Sequence, residues 1–275
     1  MEKLNFLLPD ARSWQGTCDS WTLAKNKADT YNRTDGTLTG FSCRKCRNRG
    51  GFLVPHEDGS VTYQDCSCMK QRRSLRRMEN SGLQSQIRDK TFAAFEAGEP
   101  WQQKLKAGAE GYAEEGEGWF LLAGQSGCGK THLCTAICRE RLLQGREVVY
   151  MAWREEISRL KALSLDSEAR DRQLKTLKTA ELLYIDDLFK TGKSQGLPMA
   201  PSAADLNLAF EILNFRYIQN LQTVISTELS FEELVDLDEA LGGRILEKSA
   251  ASQFCIDRNI SRNYRLRGLQ GHRDS

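Results

Sequence analysis

The sequence predicts an α/β protein in which a parallel sheet covered by helices follows a small β-hairpin module held together by its cysteines. Three observations predict it. From Trp119 onward, apolar runs of strand length alternate with longer stretches of helical period. That is the pattern of strands whose crossovers cover both faces of a parallel sheet. Residues 124–131 read GQSGCGKT and fall between the first such strand and the first such helix. Finally, Cys43-x-x-Cys46 and Cys66-x-Cys68 flank a Gly-rich segment that is too short to stand alone as a sheet.

The chain of 275 residues is long enough for one sizeable core and a smaller module. Hydrophobic residues make up 40% and charged residues 28%, a balance suited to a soluble protein. No apolar run approaches the roughly 18 residues that cross a bilayer. Asp10 comes soon after a short apolar stretch, and the first residues lack the basic start and apolar core of a secretory signal. The expectation is a cytoplasmic protein with no membrane association. Nine cysteines, an odd number, without such a leader argue against a disulfide framework. The net charge of +2 is unevenly spread, because Cys43 to Lys90 carries 11 Lys and Arg against 5 Asp and Glu. A basic module beside a near-neutral domain is a footprint for nucleic acid, or simply a solvated surface.

Within the hairpin module, Phe52 to Val54 and Val61 to Tyr63 read as two strands around the Asp58-Gly59 turn. Met69 to Asn80 reads as a basic helix ended by Ser81-Gly82. Residues before Gly40 offer Trp14, Trp21 and Tyr31 as apolar anchors and no chemistry. Thr91 to Gly118 reads as a linker with helical character, with Trp101 and Tyr112 as residues to pack on the next domain. The sheet strands are expected at Trp119–Ala123, Val148–Met151, Leu182–Ile185, Thr223–Ser226 and Phe254–Ile256. The first is followed by a helix at His132–Leu143 that ends at Gly145. Another, Leu206–Tyr217, is opened by a capping box of Ser202 with Asp205.

GQSGCGKT fits the phosphate-binding pattern G-x-x-x-x-G-K-[ST], and its strand–loop–helix setting is the one the chemistry requires. Gly124, Gly127 and Gly129 let the backbone curl, so that amides from Gln125, Ser126 and Cys128 onward face phosphates at the positive end of a helix. Lys130 is expected to neutralise the β- and γ-phosphates of ATP, and Thr131 to hold Mg²⁺. The apolar run LLYI delivers Asp186 and Asp187 at its tip. Asp186 is expected to bind Mg²⁺, directly or through water, and Asp187 is placed to polarise the attacking water or merely to cap the strand. Cys128, inside the loop, is either a small filler or a thiol made oxidisable by nearby amides.

Cys43, Cys46, Cys66 and Cys68 form two chelating pairs about 20 residues apart. Four thiolates suit tetrahedral Zn²⁺ in a closed structural site, from which the hairpin would gain its fold. An iron–sulfur cluster is the alternative. His56 in the hairpin and His132 in the first sheet helix read as surface or packing residues.

CRKC with CSC, QRRSLRR, SGL at Ser81–Leu83, KTFAAF, GQSGCGKT, LLYIDDLFK, SAADLNLAFEILNFRY, TVISTELSFEEL and DEALGGRI occur in that order. In order and spacing the chain, from about Cys43 to near its end, resembles the bacterial and prophage helicase-loader ATPases, the DnaC/DnaI-like branch of the AAA+ class. The resemblance implies an AAA+ ATPase domain over 119–275, a linker at 91–118, a zinc module with basic helix at 43–90 and a partner-docking appendage at 1–42. It implies ATP-dependent loading of the replicative hexameric helicase onto single-stranded DNA, with slow hydrolysis stimulated by partner or DNA, and self-association through AAA+ interfaces. Arg244 matches the finger that reaches a neighbouring subunit's nucleotide. Glu228 falls where the family places a polar γ-phosphate sensor, usually asparagine, with Thr227 as the other candidate. Arg262 and Arg265 are further candidates for nucleotide contact. A DNA-contacting insertion after the second strand, Trp153 to Leu163, would carry Arg154, Arg159 and Lys161, with Lys175 and Lys178 further along.

Two other functions stay open: an AAA+ transposition helper that selects target DNA, and a zinc-stapled adaptor that binds nucleotide without significant turnover.

Overall fold

The computed structural model describes residues 19–39, 42–80, 84–194 and 197–266, with the side chains of 77–85 and 193–198 outside the description. Trp14 and the Ser81-Gly82 stop lie outside the described residues. The chain forms two compact units, one up to Met69 and one from Lys70. That division falls within the stretch 43–90 read from the sequence as one module.

The smaller unit holds helix α1 (Ser20–Arg33) and an antiparallel hairpin of β1 (Gly51–Pro55) and β2 (Val61–Asp65). Asp19 caps α1 by accepting from the Thr22 amide. Near the other end of the helix, the Asn32 side-chain amide bonds both the carbonyl and the amide of Leu53, each at 2.9 Å. One side chain thus pairs a stretch of strand backbone, as a neighbouring strand would. The Arg49 guanidinium lies 3.8 Å over the Tyr31 ring, and Tyr31 meets Tyr63 edge to face. Apart from the cysteines, this unit buries little: Ala24 and Ala28 are its other fully buried apolar residues among those described.

The larger unit is built on five parallel strands: β3 (Trp119–Gly124), β4 (Val148–Ala152), β5 (Leu182–Leu188), β8 (Gln222–Thr227) and β9 (Gln253–Ile256). Their spatial order is β4-β5-β8-β3-β9. β6 (Lys193–Ser194) and β7 (Leu197–Pro198) form a separate two-residue ladder. Every residue of β3 is buried, as expected of a central strand covered on both faces. One face packs under α6 (Trp153–Ala162), α7 (Ser167–Thr179), α8 (Ala203–Ile218), α9 (Phe231–Leu237) and α10 (Glu239–Ser249). The other packs under α4 (Pro100–Glu115) and α5 (Lys130–Leu143). α2 (Cys68–Asn80) and the short α3 (Gln84–Asp89) precede them.

The expected helical character of the linker stretch is present as α4, and Tyr112 and Trp101 pack on the core of the larger unit. α4 opens with Pro100 in its first turn and a capping box of Glu99 with Gln102. It buries Leu105, Ala109, Tyr112 and Ala113 in the same cluster as the α5 residues Leu133 and Ile137. The basic helix α2 is also anchored: fully buried Ser74 accepts from the Val148 amide at 3.1 Å, and Gln71 donates to the Leu143 carbonyl. The expected capping box on α8 is present in both directions.

Arg216 of α8 is fully buried without a carboxylate partner among the described contacts. Its guanidinium donates to the carbonyls of Leu177, Lys178 and Ala180 at the end of α7, to the Gln222 carbonyl and to the Thr223 hydroxyl at the start of β8. Burial pulls it down to about 9. It supplies the donors that the last turn of α7 lacks. Arg216→Met would strand these buried carbonyls and should cost about 3 kcal/mol. Thermal unfolding of the larger unit is the check, with a drop of roughly 10 °C expected; an unchanged midpoint would refute the clamp.

Candidate nucleotide and metal sites

The loop 124–129 leaves β3, the strand between β8 and β9, and turns directly into α5. Gly124 has φ +128°, and a Cβ there would come within 2.5 Å of the Ile256 carbonyl oxygen. Gly127 has φ +79°, and its Cβ would strike the Asn263 side chain. Both positions require glycine on conformational and packing grounds. The loop sits at the mouth of a cavity of about 370 Å³, lined also by Lys130, Thr131, Asp187, Lys190 and Glu228. That volume lies within the range of small-ligand sites.

Lys130 folds back over the loop, and its Nζ donates to the carbonyls of Gly124 and Gln125 at 2.7 and 2.8 Å. Thr131 donates to Asp186 Oδ1 at 3.1 Å. Asp186 also accepts from Ser226 Oγ at 2.6 Å, Tyr184 OH at 2.7 Å and Tyr150 OH at 3.2 Å. Four hydroxyls from β4, β5, β8 and α5 therefore aim one carboxylate. Burial and the Asp186 charge push the Tyr150 and Tyr184 phenols upward, which keeps both as donors. Thr131, which lines the cavity, and the Asp186 carboxylate it bonds thus form a hard-oxygen pair of the donor type magnesium prefers.

β5 does not end at Ile185 as expected; it continues to Leu188 with a break in register. Asp187 and Phe189 both adopt left-handed backbone, at φ +57° and +63°, a cost of about 1 kcal/mol or more each. The Asp187 amide donates to Ser226 Oγ. Its carboxylate faces the cavity and pairs with Lys190 at 2.7 Å. Lys190 also pairs with Glu228 at 2.9 Å. Burial works against it, but the hydrogen bonds to both carboxylates hold Lys190 above its ordinary range. Burial likewise opposes Glu228, which Lys190 nonetheless holds below its ordinary range.

Of the two sensor candidates, Thr227 is fully buried and donates to the Leu188 carbonyl, whereas Glu228 lines the cavity. Cys128 is buried to 1% exposure and donates to the Gln125 carbonyl; burial pushes its thiol up. It is the small filler, and the oxidisable alternative is set aside. Arg265 lines the cavity with Nη1 3.4 Å from Ser126 Oγ, while Arg262 packs 5.6 Å from the Trp101 ring centroid. Arg244 is absent from the lining of this chain's own cavity. It lies over Phe210 and Tyr217 and donates to the Ala240 carbonyl. Of the cations considered for DNA, Arg159, Lys161 and Lys178 are engaged by Glu156, Asp205 and Glu211.

Sequence reasoning did not assign a role to Lys90, Phe95, Lys190 or Tyr264, all of which line the cavity. The Tyr264 amide donates to the Gly127 carbonyl and its hydroxyl to that of Glu96. Phe95 meets His132 edge to face, and His132 bonds the Thr91 carbonyl. KTFAAF, at residues 90–95 ahead of α4, was the available signal for the first two, since it is a compact aromatic motif.

In the smaller unit, the four Sγ atoms of Cys43, Cys46, Cys66 and Cys68 lie within 4.8 Å of one another. Two of the separations are 3.9 Å (Cys43–Cys66) and 3.5 Å (Cys46–Cys68). Four sulfurs at about 2.3 Å from a tetrahedral ion would be about 3.8 Å apart, so the cluster fits a metal of that kind. Left-handed backbone at Arg47, Asn48 and Gly50 makes the first knuckle, and the Arg49 amide bonds the Cys46 carbonyl. Although burial opposes it, the Gly50 amide and neighbouring sulfurs lower Cys46 to about 7. His56 is exposed, bonded to Thr62 across the hairpin, and outside the cluster.

Strand order, loop and paired aspartates define a P-loop ATP-binding protein with an AAA+ type of sheet. Residues 62–261 match the family of IstB-like ATP binding proteins, and the chain belongs to that family. It is 32% identical over 245 residues to the phage-like element PBSX protein XkdC of Bacillus subtilis, covering 84% of this chain and 88% of that protein. It is 27% identical over 184 residues to the replicative helicase loader DnaC of Escherichia coli K12, covering 66% of this chain and 69% of the loader. A crystal structure of the DnaC helicase loader superposes with a TM-score of 0.51 at 22% identity, over 63% of this chain and 99% of that one. That of DnaI gives 0.50 at 21%, over 63% and 93%. These two likenesses concern the fold. Among the described residues, no helix is long and apolar enough to cross a membrane.

Proposed function

We propose that this chain is an ATP-driven loader that places a replicative hexameric helicase on single-stranded DNA. The observation that carries the reading is the cavity in which Lys130, Thr131 and Asp187 converge at the end of a five-stranded parallel sheet. The similarity to a replicative helicase loader and to a phage-like element protein supports the choice of partner and a prophage setting.

ATP would lie along the loop with its phosphates on the amides of 125–131. Lys130 would exchange its two carbonyl partners for β- and γ-phosphate oxygens. Thr131 and Asp186 would hold magnesium, which when bound neutralises phosphate charge. Asp187 would orient water for attack on the γ-phosphorus, breaking its bond to the bridging oxygen and releasing ADP and phosphate. An aspartate reaches one methylene less far than glutamate and is paired with Lys190, so slow unstimulated turnover is expected. Zinc would be held by Cys43, Cys46, Cys66 and Cys68.

Arg244 lies off its own cavity, as a residue acting on a neighbouring subunit's ATP would. Arg244→Ala should lower turnover by ~100-fold or more in the assembled state while leaving ATP affinity within about twofold. Steady-state phosphate release and equilibrium nucleotide binding check this; loss of affinity without loss of turnover would refute it. The function itself is tested by helicase loading onto circular single-stranded DNA. ATP-dependent transfer is expected; none in any nucleotide state, with stimulation by a transposase instead, would favour the transposition helper.

A further inference from the structure

Besides Lys130, the cavity is lined by Lys90 and Lys190, two lysines that the usual phosphate loop does not supply. Lys190 comes three residues after Asp187, across a turn closed by its own amide on the Asp187 carbonyl at 2.9 Å. The two left-handed non-glycine residues of that turn show that the backbone is bent, at a cost, to bring this side chain over the cavity. Its Nζ is shared between Asp187 Oδ2 and Glu228 Oε1, which arrive from neighbouring strands.

We propose that Lys190, tethered by Glu228 and Asp187, is the group through which this chain distinguishes a nucleoside triphosphate from a diphosphate. The proposal rests on the nucleotide-site reading given above. An ammonium has three donors. Two meet the carboxylates at 2.7 and 2.9 Å, and the third can serve a phosphoryl oxygen. Glu228 alone would repel a phosphate; with Lys190 in front of it, it becomes the holder of a cation. Lys130 serves the loop side of the cavity, at Gly124 and Gln125, where the phosphates common to both nucleotides would bind. Lys190 serves the β5–β8 side, where the additional phosphoryl group of a triphosphate would extend.

Three consequences separate this role from general electrostatics. Lys190→Met should weaken binding of a non-hydrolysable ATP analogue by ~10-fold or more, as expected for loss of a charge-assisted hydrogen bond. ADP affinity should stay within about twofold. Lys190→Arg, which keeps the cation, should restore part of the preference for the triphosphate. Glu228→Gln, which loosens the tether but keeps Lys190, should reduce the preference less than Lys190→Met does.

The experiment is isothermal titration of the full chain and these variants with magnesium and either ADP or the analogue, with thermal unfolding as the folding control. Selective loss of analogue binding in Lys190→Met establishes the role. Equal losses for both nucleotides, or no loss for either, overturn it while leaving the nucleotide site in place. Lys130→Ala in the same titration marks the other case: a wild-type chain that binds neither nucleotide, like this variant, would overturn the site reading and the inference together. If Lys190→Met does not fold, the Glu228→Gln and Lys190→Arg titrations decide: unchanged preference in Glu228→Gln, or complete loss in Lys190→Arg, contradicts the assignment.

Discussion

Replacing Lys130 by alanine is expected to reduce ATP turnover by ~100-fold or more with little change in thermal stability. The reasons lie in what the side chain does before nucleotide arrives. Among the described contacts, its Nζ bonds the carbonyls of Gly124 and Gln125. Among the described residues it has no ion-pair partner within the salt-bridge distance, so its removal strands no buried charge. With ATP bound, the same ammonium would face phosphate oxygens whose charge grows during bond breaking, where a fixed cation has most effect. Phosphate release, read beside a circular-dichroism melt, separates the two effects. Undiminished turnover in a folded variant would overturn the nucleotide site.

The second large effect is expected in the smaller unit. Apart from the cysteines, its buried apolar residues among those described are Ala24 and Ala28. Among the described residues, the cysteine cluster is joined only by partly buried Phe52 and Met69 besides Cys43. So small a core cannot offset the entropy of ordering some fifty residues. A four-thiolate metal site contributes on the order of 10 kcal/mol at neutral pH. Cys66→Ser, or strong chelation, should therefore release one zinc per chain and unfold this unit, while nucleotide binding by the larger unit persists. Elemental analysis with amide hydrogen exchange reports both. Full zinc content in Cys66→Ser would refute the four-ligand site, and a protected hairpin after metal loss would refute the dependence of fold on metal.

The sheet was legible because its strands are nearly continuous apolar runs. β3 and β8 each lie within a residue or so of the runs read from the sequence. The phosphate loop was legible for a different reason: glycine spacing, lysine and threonine are all dictated by one ligand and lie within eight consecutive positions. What remained hidden depends on register. Tyr150, Tyr184 and Ser226 converge on Asp186 because β4, β5 and β8 are neighbours with fixed pairing, and no local pattern encodes that pairing. Lys190 depends on a left-handed turn built without glycine, so composition gave no warning of it. Arg216 looked like any arginine on a helix, since its role comes from the carbonyls that α7 leaves unpaired. α4 was legible as helical character with Trp101 and Tyr112 as anchors, whereas the burial of Leu105, Ala109 and Ala113 comes from packing on α5.

The most direct test of the loader is native mass spectrometry of this chain mixed with the replicative helicase of its host, with and without ATP. A discrete complex of several copies on one helicase hexamer is expected, each copy carrying one zinc, with a population that changes with ATP. Absence of any complex in every nucleotide state, from protein shown to bind ATP, would contradict it.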